Sequence, residues 1–94
     1  MELSEFLAHY EQGHLNKYEM TLIAIKRIVE DDVSIYDTLP NWLQAEILNM
    51  AKSCLSGNEI IFISSTGAVD KTHLVRELCV LLEDKLNVSE ESSE

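Results

Sequence analysis

The chain is poor in positive charge, proline, glycine and cysteine, and each shortage excludes something. Its 94 residues hold seven Lys and Arg against seventeen Asp and Glu, for a net charge of −10. Nucleic-acid phosphates need a surplus of cations, so no nucleic-acid partner is expected. One proline and three glycines leave no interior low-complexity linker. Two cysteines, Cys54 and Cys79, and three scattered histidines show no CxxC or HxxxH pairing. A zinc site needs such spacing, so neither metal nor cofactor is expected. No apolar run approaches the length of a membrane span, which removes the bilayer as a partner. The opening MELSEFLAHYEQG carries three acids and no basic n-region. The expectation is a cytoplasmic protein with reduced thiols, both treated as small buried apolar groups.

What is present reads as one domain. The hydrophobic fraction is 46% and the charged fraction 26%, the values of an ordinary globular protein. The charge is uneven. Glu2, Glu5 and Glu11 give the first fourteen residues −3, and Glu90, Glu91 and Glu94 give the last eight −3. The two ends thus hold six of the ten excess negatives. The expectation is a globular helical domain over 1–87 and an acidic, disordered tail over 88–94.

Periodicity places four helices. Leu3, Phe6, Leu7 and Tyr10 form one helical stripe, and Gly13 stops it. Asn16 and Glu19 have capping-box spacing, with Leu15 and Met20 in staple positions. The second helix then runs from about Lys17 to Glu30, with Tyr18, Leu22, Ile25 and Val29 as its main stripe. It is apolar on most of its circumference, which marks a central helix or one that meets a second subunit. Val33 to Tyr36 reads as a short strand or a single turn. Pro40 is expected in the first turn of a third helix. That helix reaches about Leu55 and buries Leu43, Ile47, Met50, Ala51 and Cys54. The last helix spans about Lys71 to Leu86 on a stripe of Leu74, Leu78, Leu81, Leu82 and Leu86, with Asp70 as its cap. The fold class is mainly α: a compact four-helix domain with one short strand or extended segment, about 59–64, before the last helix.

That segment, EIIFIS, raises a physical problem. A lone strand cannot satisfy its own N–H and C=O groups. It can pair with Val33 to Tyr36, pair with a second copy, offer an edge to another protein, or be an apolar buried turn. The stretch that follows, STGAVDKT, resembles a phosphate-binding P-loop, GxxxxGK(S/T), over eight residues. Lys71 and Thr72 match, while Ser65 and Asp70 replace the two glycines. Asp70 adds a Cβ and a carboxylate where phosphates must approach. Two unit charges ~4 Å apart repel by ~4 kcal/mol at a surface-like dielectric, against about 8 kcal/mol for micromolar binding. Nor can 22 residues after Thr72 supply the parallel strands of a nucleotide-binding domain. A degenerate nucleotide binder is therefore the remote reading, and helix capping by Asp70 the favoured one.

Other constellations are equally bland. Ser64, Ser65, Asp70 and His73 lie close in sequence, but a nucleophile needs a contacting base and an orienting acid. Glu5 and His9 at i, i+4 read as a solvated helix pair. No catalytic residue is assigned. Trp42 points about 100° away from Leu43 on the helical wheel, alongside Glu46, Asn49 and Ser53. It either closes the core over Ile35, Tyr36 or Leu39, or marks an interface. Met20, Ile23 and Ala24 beside Arg27 raise the same choice. The candidate interface set is Trp42, Glu46, Met20, Ile23, Arg27, Ile60 and Phe62. The expectation is a non-enzymatic interaction module, most concretely a small acidic inhibitor of immunity type that binds a basic protein. A structural or regulatory homodimer, joined through EIIFIS or the second helix, is the alternative.

Overall fold

A computed structural model describes residues 2–64 and 66–86, so the expected tail over 88–94 lies outside the described residues. The elements run α1 (Leu3–Glu11), α2 (Lys17–Glu30), a 3-10 helix (Val33–Thr38), α3 (Asn41–Leu55), β1 (Ile61–Ser64), β2 (Gly67–Asp70) and α4 (Thr72–Leu81). The mainly helical domain with a short strand segment before the last helix is what the chain adopts.

Local chemistry sets the boundaries. The α2 start is a full capping box: the Asn16 side chain accepts from the Glu19 N–H at 2.8 Å, and Glu19 accepts from the Asn16 N–H at 3.0 Å. Gly13 follows α1 at φ 84°, a left-handed conformation that a side chain would strain. Pro40 stands just before α3 rather than inside it, at φ −57° and ψ 152°. The residues 33–38 form a 3-10 helix, not a strand. Asp32 caps it by accepting from the Ser34 N–H at 2.9 Å, and the Gln44 amide of α3 donates to the Tyr36 carbonyl at 2.9 Å. Lys85 holds it from the other side, 2.9 Å from the Asp37 carboxylate and 5.0 Å from the centre of the Tyr36 ring.

Helix α2 is central: it packs against α1, the 3-10 helix, α3 and α4. Its buried face differs from the expected stripe. Met20, Thr21, Ala24, Ile25 and Ile28 are buried, while Tyr18 is 62% exposed. A helix touched on several sides buries a broad face, so choosing one stripe among several apolar positions misplaces it. Thr21 enters the core with its hydroxyl satisfied, donating to the Lys17 carbonyl at 2.7 Å. Leu43, Ile47 and Ala51 of α3 and Val75 and Leu78 of α4 complete the fully buried set. The α1 stripe Leu3, Phe6, Leu7 and Tyr10 covers this core as half-buried residues.

The largest departure lies in the segment taken for a lone strand and loop. β1 finds its partner within a few residues, as an antiparallel hairpin with β2 that pairs Ile61 with Asp70, Phe62 with Val69, Ile63 with Ala68 and Ser64 with Gly67. The hairpin is pinned at its base. Lys71 N–H donates to the Ile60 carbonyl at 2.8 Å, and Ile60 N–H donates to the Thr72 hydroxyl at 2.8 Å. Asp70 still serves the helix start, accepting from the Thr72 N–H at 2.8 Å, but α4 begins later than a cap at that position requires. The last helix also changes character at Leu82, φ −102° and ψ 18°. Leu82 N–H to Leu78 O closes α4, and Leu86 N–H to Leu82 O belongs to a further turn beyond it.

Candidate interaction surface

The structure scatters the seven candidate interface residues. Met20 is fully buried and Ile60 only 8% exposed, so both belong to the core of the chain and not to its surface. Met20 lies on the broad buried face of α2, and Ile60 sits where the hairpin base meets α4. Trp42 takes neither expected arrangement in full. It is half-buried and stacks on Tyr10 of α1, ring centres 4.7 Å apart, joining the N-terminal helix to the start of α3. Glu46 pairs with Lys17 at 3.1 Å, which ties α3 to α2 at the same end. Arg27 reaches the Asp31 carboxylate at 3.5 Å.

Ile23 and Phe62 are brought together. Both line a pocket of about 250 Å³ between α2 and the hairpin, with Leu15, Tyr18, Leu22 and Ile63 as its other apolar walls and Asn16 and Glu19 at its polar side. Residues directly opposite in an antiparallel pair share a face. One face of the hairpin therefore carries Phe62 and Val69, the other Ile61, Ile63, Ala68 and Asp70. Phe62 packs against the core. Ile63 is 84% exposed, and Ile61 and Val69 are also exposed. Tyr18 and Ile63 thus stand exposed at one pocket, with Ile61 on the Ile63 face of the hairpin and Val69 on the other. The sheet has two strands among the described residues, so neither outer edge is covered by a third.

The charge beside this region is negative. Asp70 shares the exposed hairpin face with Ile61 and Ile63. Hydrogen bonds from the Thr72 hydroxyl and backbone N–H hold its carboxyl below the usual range, so it is an anion at neutral pH. Glu59 lies at the same end, lining a shallow cleft with Asp70, Thr72, His73 and Arg76. The residues weighed for other chemistry have other engagements. The Thr72 hydroxyl accepts from Ile60 N–H. His73 faces Glu77 at 3.7 Å, and Ser65 lies outside the described residues. His9 lies against His14, Nδ1 to Nδ1 3.4 Å, while the Glu5 carboxylate turns back to the Glu2 N–H at 3.4 Å. No group of three or more metal-ligating side chains occurs among the described residues, and no helix there is long and apolar enough to cross a membrane.

Sequence reasoning missed Tyr18, Ile61, Ile63 and Val69 as surface residues. Tyr18 fits the helical stripe as well as any buried position. The unbroken apolar run Ile60 to Ile63 hides the alternation that would have separated its two faces. Comparison with protein-family models, curated proteins and solved structures returns no match.

Proposed function

We propose that this chain is a non-enzymatic interaction module, most concretely a small acidic inhibitor of immunity type that binds a basic protein. The observation that carries this reading is the hairpin beside α2. It exposes Ile61 and Ile63 on one face and Val69 on the other, with Ile63 and Tyr18 lining a pocket that has Glu19 at its side and Asp70 on the face of the two isoleucines. Interfaces combine an apolar centre with a polar rim, and clustered exposed apolar side chains on a small protein mark contact sites. The net charge of −10 would attract a basic partner from a distance and speed encounter more than it sets affinity.

The test is capture from source-cell extract with the wild-type chain and with Ile63→Asp, each at low and high salt. The expected result is a basic partner held by the wild type at low salt, released by salt and lost in the variant. Capture that is indifferent to both salt and Ile63→Asp would refute the assignment. Ile63 is so exposed that the variant should fold normally, which circular dichroism checks.

A further inference from the structure

A second surface is balanced in charge. Between the end of α3 and α4 lies an open groove of about 590 Å³, lined by Cys54, Leu55, Arg76, Cys79, Val80, Glu83 and Leu86. Val80 is 72% and Leu55 61% exposed, so its walls present apolar side chains to solvent. Its floor is tied together: the Cys79 thiol donates to the Ala51 carbonyl at 3.4 Å, and Cys54 Sγ lies 4.0 Å from the Thr72 carbonyl oxygen. The charged residues of this lining are one cation and one anion, Arg76 and Glu83, on a chain otherwise dominated by negatives. Among the described residues neither forms an ion pair within the chain.

The geometry points to this groove as the seat of a second copy of the same chain, with the two α4 helices antiparallel across a two-fold axis. Arg76, Val80 and Glu83 recur at i, i+4 and i+7, which places them on one helical stripe. A further helical turn follows Leu82, and Arg76, Val80 and Glu83 all line the one groove. A two-fold axis between positions 79 and 80 sets residue 76 opposite residue 83 of the other copy, because the paired numbers must sum to 159. Each Arg76 then meets a Glu83, twice per dimer, and each Val80 meets the Cys79 position, beside Leu55. An isologous interface needs a surface complementary to itself, and this stripe has that property. The groove's lining includes none of Tyr18, Ile61, Ile63 and Val69, so it does not depend on the reading given to them. A contact confined to one helix and one helix end belongs with the small, transient interfaces.

The test is sedimentation equilibrium up to about 1 mM protein, a concentration at which even a millimolar dissociation constant gives a large dimer fraction. Salt near 0.15 M shortens the Debye length to about 8 Å and damps the general repulsion between two acidic copies. The expected result is a concentration-dependent dimer. Arg76→Glu or Glu83→Arg alone creates two like-charge contacts per dimer and should weaken association about tenfold or more, while the double variant, which restores opposite pairs, should recover most of it. Val80→Asp should abolish the dimer. All three substituted positions are exposed, and thermal melts verify folding. A monomer throughout the range overturns the proposal. So does a dimer that ignores the single reversals, or a double variant no better than the worse single one.

Discussion

The helical core and the hairpin are built by different physics. Around α2 the stabilising surface is apolar and dry: Met20, Ala24, Ile25, Leu43, Ile47, Val75 and Leu78 have no solvent exposure. The hairpin has Phe62 as its main inward contact and holds its place by hydrogen bonds at its base, through Ile60, Lys71 and Thr72. A two-stranded ribbon is marginal by itself in water, so it survives here as an attachment to α4. The lesson is a division of labour. The helices supply the stability, and the hairpin is a weakly held element with apolar side chains outward, which suits a contact surface.

The sharpest way to break that comparison is to truncate one side chain in each region. Leu78→Ala or Met20→Ala should cost about 2–5 kcal/mol, through lost burial and the cavity left behind. Ile63→Ala should stay within about 0.5 kcal/mol, because the side chain already stands in water. Urea denaturation measures both. An Ile63→Ala loss as large as that of Leu78→Ala would place the hairpin in the cooperative core.

The next effect is at the joint between the regions. Thr72 is buried, and its hydroxyl accepts the Ile60 N–H at 2.8 Å. Thr72→Val keeps the shape and removes the acceptor, leaving a buried donor unsatisfied, at a cost of about 1–3 kcal/mol. The loss should be local. Amide exchange is expected to accelerate at Ile60 and across β1 and β2 while the α2 and α3 amides remain protected. Uniform acceleration would mean that the hairpin and helices unfold as one unit.

What could be read from the sequence follows the same divide. Helix existence was legible because stripes and caps repeat one message: Asn16 and Glu19 announce α2, and both bonds of the capping box form. The α2 face was not, because apolar residues surround that helix and periodicity cannot rank its sides. The hairpin was hidden for another reason. Its reversal, Ser64 paired with Gly67, lacks the Asn-Gly or Asp-Gly signature of tight hairpins, and β2 reads as loop because Gly67, Ala68 and Asp70 are poor strand formers. Pairing supplied by neighbouring backbone overrode that propensity. The candidate surface suffered likewise. Ile23 and Phe62 are legible and do line one pocket, but Tyr18 and Ile63, the most exposed of the set, are hidden by an apolar stripe and an apolar run.

A smaller effect sharpens the helical side. Asn16→Ala removes the side chain that accepts the Glu19 N–H at 2.8 Å, and should cost about 1 kcal/mol. Asn16→Asp keeps the acceptor and should recover most of that loss. Since Asn16 also lines the pocket beside Phe62 and Ile63, partner capture separates the two roles. A cap with no part in recognition changes the melting temperature and leaves capture intact.

The smallest effects at neutral pH become visible at the extremes, and the two regions should respond on opposite sides. In the helical part, burial pushes the Tyr36 hydroxyl above its ordinary 10.0 and the Cys79 thiol above 9.0, and the hydrogen bond to Asp37 raises Lys85 above 10.5. A raised folded-state pKa means that the native state holds its proton more tightly than the unfolded chain does. The associated stability is complete below the unfolded value and is lost as pH climbs through the folded one. Alkaline loss should therefore begin near pH 9, with Cys79, and deepen past 10, and Cys79→Ala should delay its onset. At the hairpin base the sign reverses. Asp70 is held below 3.8 by the Thr72 hydrogen bonds, so its contribution is present above 3.8 and disappears as pH falls through the lower folded value. Acid should accordingly release β1 and β2 amides before those of α2, a sequence that amide exchange at stepped pH reads directly. Asp70→Asn keeps an oxygen to accept the Thr72 N–H but cannot titrate, so it should remove the acid step at the hairpin and leave the alkaline one where it was. An acid step that persists in Asp70→Asn would assign it to another carboxylate, with Asp32, also lowered by its bonds to Ser34, the first to replace.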